Sequence, residues 1–179
     1  MSPVAIDPDA RARLRVHLRL LDDDIAPVVQ RWAHHIRCEA GCSDCCHQTF
    51  RVSELEGAYL REGLRALEPS VAADILARAR AYAPDERAPC PVLDEDGRCR
   101  LYAHRPRICR KYGIPLWHPD RPHEVTTCPK NFRDAVDVEA EPILEPQARW
   151  AEDWIALRAE LGLPAQENVT IAEHLLADP

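Results

Sequence analysis

A chain of 179 residues can enclose a core without staples, and its formal net charge of −7, from 23 basic and 30 acidic side chains, argues against general nucleic-acid binding. No apolar run approaches the ~20 residues that cross a bilayer, and the opening MSPVAIDPDARARLRV carries no apolar signal-peptide segment. The expected compartment is the cytoplasm, where the eight cysteines read as metal ligands or redox thiols before they read as disulfides.

From about residue 9 to 36, Leu14, Leu18, Leu21, Ile25, Val28, Trp32 and Ile36 recur at steps of three and four, the stripe of an amphipathic helix. Asp22, Asp23 and Asp24 followed by Pro27 interrupt it, because an aspartate cap with proline in the next turn is a helix start. Two helices, or one kinked helix, are expected. His17, His34 and His35 lie here without ligand spacing to a partner and read as surface or core histidines.

The next stretch, CEAGCSDCC, places Cys38, Cys42, Cys45 and Cys46 within nine residues. A disulfide between the neighbours Cys45 and Cys46 would need badly strained geometry, which favours ligation. Behind them Ser53 and Glu56 make a capping-box pattern, predicting a helix with Leu55, Tyr59 and Leu64 on its apolar side. Pro69 opens another, with Val71, Ile75, Ala79 and Tyr82 on one face, ending before Pro84. Both read as scaffold.

In CPVLDEDGRCRLYAHRPRICRKYG, Asp96-Gly97 signals a turn between two short apolar runs, predicting a hairpin over about 90–102. A two-residue loop at 96–97 or a four-residue loop at 94–97 points Cys90 and Cys99 to one face. The wider loop, the favoured register, sets them diagonally at about 7–8 Å. Pro106 reads as the first residue of a short helix stopped by Gly113, with Cys109 in its opening turns, where helix amides favour an anionic sulfur. Arg105, Arg107, Arg110 and Lys111, with no acid among them, read as counter-charge to thiolates, as a solvated basic face or as an RNA-binding patch.

Prolines at 115, 119, 122 and 129 predict an irregular loop over 114–131, with Cys128 at its far end. His47, His104, His118 and His123 add imidazoles without paired spacing, and whether any ligates is left open. Pro146 should open a helix whose Trp150, Trp154, Leu157 and Leu161 stripe packs on the N-terminal helices. Thr170 with Glu173 caps a short closing helix through Leu176. The expected architecture is one mainly α domain over 1–179, an irregular helical domain with a small β-hairpin. Its loop-rich cysteine region lies at about 38–128, flanked by N- and C-terminal helices that pack together. No Ser/His/Asp grouping, phosphate-binding glycine loop or dinucleotide fingerprint is present, so no catalytic residue is assigned.

Metal sites need deprotonated sulfurs that converge from several directions. The C-x3-C-x2-C-C run can aim three thiols at one ion, but adjacent Cys45 and Cys46 point apart in most backbone conformations. One of the pair would then serve a second ion, bridge two ions or donate only through hydrogen bonds. Eight thiolates suffice for two four-sulfur zinc sites, for one four-cysteine iron–sulfur cluster with four to spare, or for a polynuclear site.

Taken together, CEAGCSDCC, CPVLDEDGRC, LYAHRPRICR and the later Cys128 resemble the YkgJ-type cysteine-cluster family, whose signature runs CxxCxxCC, CPxLxxxGxC and YxxRPxxCR. The likeness spans about residues 38–128, with three residues between Cys38 and Cys42 where the family often has two. It implies chelation of zinc or iron by Cys38, Cys42, Cys45, Cys46, Cys90, Cys99, Cys109 and Cys128, and little beyond metal binding. The spacing of Cys38, Cys42 and Cys45 also resembles the cluster loop of radical S-adenosylmethionine enzymes. Those are βα barrels, however, and this chain shows no alternating strand–helix pattern. Asp44 stands where they carry an aromatic, and Cys46 follows directly.

The expected function is therefore metal binding, of zinc, iron or an iron–sulfur cluster, in a structural or metal-handling role. An iron–sulfur redox or radical-type enzyme and a zinc-dependent adaptor for RNA or protein are the alternatives. The metal, the protein partner, the oligomeric state and any reaction are not read from the sequence.

Overall fold

The computed structural model describes residues 7–84, 87–118, 121–134, 141–164 and 169–177. In chain order the described elements are α1 (Pro8–Arg31), β1 (Arg51–Val52), α2 (Glu54–Arg65), α3 (Pro69–Arg80), α4 (Arg107–Lys111), β2 (Leu116–His118), β3 (Arg121–Thr126), α5 (Glu141–Glu160), β4 (Val169–Thr170) and α6 (Ile171–Leu176). Short 3-10 turns lie at Asp44–His47 and Tyr102–His104. The architecture is mainly α, as the periodicity predicts, with two small antiparallel strand pairs among the described residues. No helix among the described residues is long and apolar enough to cross a membrane. The chain divides into two compact units, one from residues 1–14, 40–106 and 163–179 and the other from 15–39 and 107–162.

In the first unit the two predicted capping boxes are formed. Glu56 N donates to Ser53 Oγ at 3.3 Å and Ser53 N to Glu56 Oε2 at 3.1 Å, which starts α2. Thr170 and Glu173 repeat the arrangement at α6, which packs on both α2 and α3. Leu55, Leu60, Leu64, Ile75, Ala79, Ile171 and Leu175 are buried there. β1 pairs with β4, Arg51 opposite Thr170 and Val52 opposite Val169. Buried His174 bonds the Val52 carbonyl at 3.0 Å, and buried Arg61 donates to the His174 carbonyl at 3.0 Å.

The predicted hairpin at 90–102 is reduced to a single bridge between Leu93 and Cys99. Its loop is five residues long, so neither expected register is adopted. The cause is Asp94, whose side chain accepts from Arg98 N at 2.7 Å while its own N donates to the Arg98 carbonyl at 2.9 Å. That Asx closure widens the turn beyond the 96–97 dipeptide.

The second unit is built on the long stripe. Leu21, Ile25 and Val28 of α1 cluster with Trp32, just past its end, and with Ile114, Leu116 and Trp150, and Ile36, Tyr112 and Phe132 pack against them. Of the two forms allowed for residues 9–36, the split one is not adopted: α1 is one helix with Pro27 inside it. Proline removes only the bond to the Asp23 carbonyl, and both residues lie on the exposed side, where water replaces it. Pro146 likewise sits inside α5 rather than opening it, because one bond lost in the second turn is outweighed by burial of Trp150, Trp154 and Leu157.

Segment 114–131 is not an irregular loop, since β2 and β3 pair with Leu116 opposite Thr126 and Trp117 opposite Val125. Both strands of a two-stranded ribbon are edges, and edges tolerate proline. Buried Gln147 fastens the ribbon, accepting from Trp117 N at 3.0 Å and donating to the Pro115 carbonyl at 2.8 Å.

Candidate metal centre

All eight cysteines are free thiols. In the first unit the turn Asp44–His47 carries Cys45 and Cys46, and Cys46 N donates to the Ser43 carbonyl at 2.8 Å. Cys90 N donates in turn to the Cys46 carbonyl at 2.7 Å, so the second cysteine segment is laid directly on that turn. A further tie is steric. Gly97 has φ +74°, and a Cβ placed on it would sit 2.6 Å from the Gly41 carbonyl oxygen. Only glycine allows this backbone conformation and this approach together. Cys99 then joins through its bridge to Leu93.

The thiols of this group act on one another. The Cys45 thiol is pushed up by its hydrogen bond with Cys46, then by burial. Burial pushes Cys90 up to about 12, and the charges of Cys99 and Cys45 add to the shift. Burial raises Cys99 as well, opposed in part by the nearby positive charge of Arg105. Cys46 thus disfavours ionisation of Cys45, and Cys45 disfavours that of Cys90 and Cys99, while Cys42 lies on the same loop. Such a set holds its charge only against a cation, and coordinated thiols lose their protons outright. Thiolate sulfur is a soft donor of the type that zinc and iron take.

Cys38, Cys109 and Cys128 belong to the second unit. Cys109 lies in α4, Cys128 is buried, and Cys38 is exposed at the residue level. Gly113, at φ +113°, gives Cys38 its place, because a Cβ there would stand 2.7 Å from the Cys38 sulfur. Asn131, 3 % exposed, donates Nδ2–H to the Gly113 carbonyl at 2.6 Å and faces the same sulfur at 3.5 Å. Among the described residues, no three His, Cys, Asp or Glu side chains meet in a geometry that would hold a metal ion.

The basic stretch is not a solvated face. Arg107 is buried, donating Nε–H to His17 Nε2 at 2.9 Å with its guanidinium 4.4 Å from the Trp154 ring centroid. Arg110 pairs with Asp22. Arg105 lies 3.6 Å over the Tyr102 ring, and its charge reaches Cys99, which is the counter-charge role. The His104 ring packs on Tyr59 at 4.6 Å between centroids. The side chains of His118 and His123 lie outside the described residues.

Sequence reading assigned no site role to Asn131, Gly41 or the close approach at Gly97. Asn131 carries only one local signal, its place three residues after Cys128 in CPKN, where its N donates to the Cys128 carbonyl at 2.9 Å. The Gly41–Gly97 approach joins segments more than fifty residues apart, and periodicity does not report such contacts.

The chain belongs to the CxxCxxCC family, whose model, described as "Putative zinc- or iron-chelating domain", matches residues 37–137. All eight cysteines fall inside that span. No curated protein and no solved structure matches the chain. Family membership supports binding of a metal ion, zinc or iron.

Proposed function

We propose that this protein binds zinc or iron through thiolates drawn from Cys38, Cys42, Cys45, Cys46, Cys90, Cys99, Cys109 and Cys128, and that its role is to handle the metal rather than to be braced by it. The observation that carries the reading is the half-buried neighbourhood of Cys45, Cys46, Cys90 and Cys99, where Cys45 and Cys46 share a hydrogen bond and the charges of Cys45 and Cys99 bear on Cys90. The handling role is supported by the apolar cores of the two units, which contain one cysteine side chain, Cys128, among their buried residues. A fold that buries its own leucines and tryptophans has less need of an ion than a zinc finger has.

In this reading the chain does three things for the metal. The Cys90 N to Cys46 carbonyl bond and the Gly41–Gly97 approach keep two thiol segments together. Arg105 offsets negative charge beside Cys99. Each thiol gives its proton to solvent as the ion arrives, so affinity rises with pH. The adaptor for RNA is disfavoured because Arg107 and Arg110 are engaged inside the protein. A reducing cytoplasmic setting suits the free thiols.

Anaerobic purification followed by elemental analysis and acid-labile sulfide quantification tests the reading. Stoichiometric zinc or iron, lost in Cys90→Ser and Cys99→Ser, is expected. Brown colour with sulfide would identify an iron–sulfur centre and turn the reading towards redox chemistry. Protein that takes up neither zinc nor ferrous iron would sink it. Unfolding of the helices on chelation would replace the handling role by a structural one.

A further inference from the structure

We propose that Asn131 is a positioning residue for metal capture, which sets the Cys38 sulfur in place and donates an N–H to it while it ligates. The proposal rests on the reading of Cys38 as a ligand. Asn131 is buried, and its side chain is used completely. Its Oδ1 accepts from Arg37 N at 2.8 Å, one residue before the cysteine, and one Nδ2 hydrogen goes to the Gly113 carbonyl at 2.6 Å. The other faces Cys38 Sγ at 3.5 Å, within reach of an N–H···S bond. A backbone donor on one side and a backbone acceptor on the other fix which end of the amide is which.

Those two backbone ties alone would make Asn131 a clip between the 37–38 and 113 segments. The sulfur contact goes further, because an N–H aimed at a ligand atom orients the ligand and takes up part of its charge. Asn131 also brings Cys128 into the arrangement, through the turn its own N closes on the Cys128 carbonyl at 2.9 Å. Gly113 completes the seat by leaving the space that the Cys38 sulfur occupies. One residue therefore organises the surroundings of two of the eight thiols, Cys38 through its side chain and Cys128 through its backbone.

The test uses the full chain, apo and loaded with cobalt(II), and reads both the affinity and the sulfur-to-cobalt charge-transfer band. Asn131→Ala removes all three side-chain bonds. Asn131→Asp keeps the Arg37 tether and loses the N–H donation, so it serves where the alanine variant does not fold. Each should weaken cobalt(II) binding by about 10–100-fold, the usual cost of losing a hydrogen-bond partner behind a metal ligand, and should reduce or move the band. In a Cys38→Ser background neither should weaken binding further, because the residue acts through that sulfur.

Equal weakening with and without Cys38 would overturn the proposal, since it would make Asn131 a structural clip only. Folded Asn131 variants that bind cobalt(II) normally while Cys38→Ser does not would overturn this proposal and leave the metal reading standing. Unchanged binding by Cys38→Ser alone would remove Cys38 from the ligand set and this proposal with it. Variants that fail to fold even with cobalt(II) present would also overturn it, by making Asn131 a determinant of folding.

Discussion

The helices and the thiol loops of this protein are held by different forces. Helix α1 is fixed through Leu21, Ile25 and Val28, which are removed from water with no partner to satisfy, and α2 and α6 add reciprocal caps at Ser53 and Thr170. The Cys38–Cys46 loop has none of this, and the segment between Cys90 and Cys99 has it only at Pro91, Val92 and Leu93. They are kept together by one backbone bond from Cys90 to Cys46, a glycine-to-glycine approach at residues 41 and 97, and a five-residue turn around Asp94. Burial makes the Cys90 and Cys99 thiols resist ionisation. On the proposed reading the frame stands without an ion whereas the loops gain from one, and each prediction below separates the two.

The largest effect is expected in the frame. Leu21→Ala in the second unit and Leu55→Ala in the first each empty a fully buried site and should cost about 2–5 kcal/mol in denaturant unfolding. Metal bound per folded molecule should not change. A fall in metal stoichiometry in the fraction that remains folded would show that core and thiols are one cooperative system.

Next comes a pH effect that belongs to the frame alone. Burial and the Arg107 charge hold His17 down at about 4, and neutral His17 accepts the Arg107 Nε proton. In the unfolded chain the imidazole titrates at its usual 6.5. Below that pH the unfolded state binds more protons, so the contribution is complete above about pH 6.5, falls with acidification and is gone by about pH 4. The whole loss amounts to about 3 kcal/mol. Thermal melts between these limits should show a steep acid limb that His17→Gln flattens. An equally steep limb in that variant would assign the acid sensitivity elsewhere.

A smaller effect on stability, but a larger one on metal, is expected from Gly97→Ala. The added Cβ would meet the Gly41 carbonyl at 2.6 Å, and the residue would be held at φ +74°. Strain of that kind costs about 1–3 kcal/mol, and because the contact is backbone, it is relieved by separating the two segments. Metal content should drop while far-UV helicity stays. Normal metal loading in this variant would show that the Gly41–Gly97 approach does not organise the donors.

Much of the frame was legible because it depends on neighbours in sequence. The α1 stripe and both capping boxes are read from steps of three and four, and the thiol clustering from CEAGCSDCC itself. The proline signals overstated a break at one place and misplaced a helix start at another, for one reason. Pro27 and Pro146 each forfeit a single hydrogen bond, and buried tryptophans and leucines elsewhere in α1 and α5 outweigh it. The β2–β3 ribbon was hidden because Pro115 and Pro122 mark loops in most settings and edges in a few. The surroundings of the thiols were the least legible part. The seat of Cys38 depends on Gly113 and Asn131, which lie 75 and 93 residues away along the chain, and no local pattern reports such contacts.

The smallest expected effect is also the cleanest test of the contrast between frame and loops. Ser53 stands at the junction, seven residues after Cys46 and immediately before α2. Ser53→Ala removes the oxygen that accepts Glu56 N and leaves the Glu56 carboxylate with the Ser53 backbone N as its remaining partner in the cap. The loss should be about 1 kcal/mol, since a cap satisfies one or two of the orphan amides at a helix start. If the frame stands without the ion, that loss should be the same in apo and metal-loaded protein, measured as the shift in denaturation midpoint at constant slope. A loss that appears only in the apo form would mean that metal on the neighbouring thiols is already holding the start of α2, and would move the ion from cargo to brace.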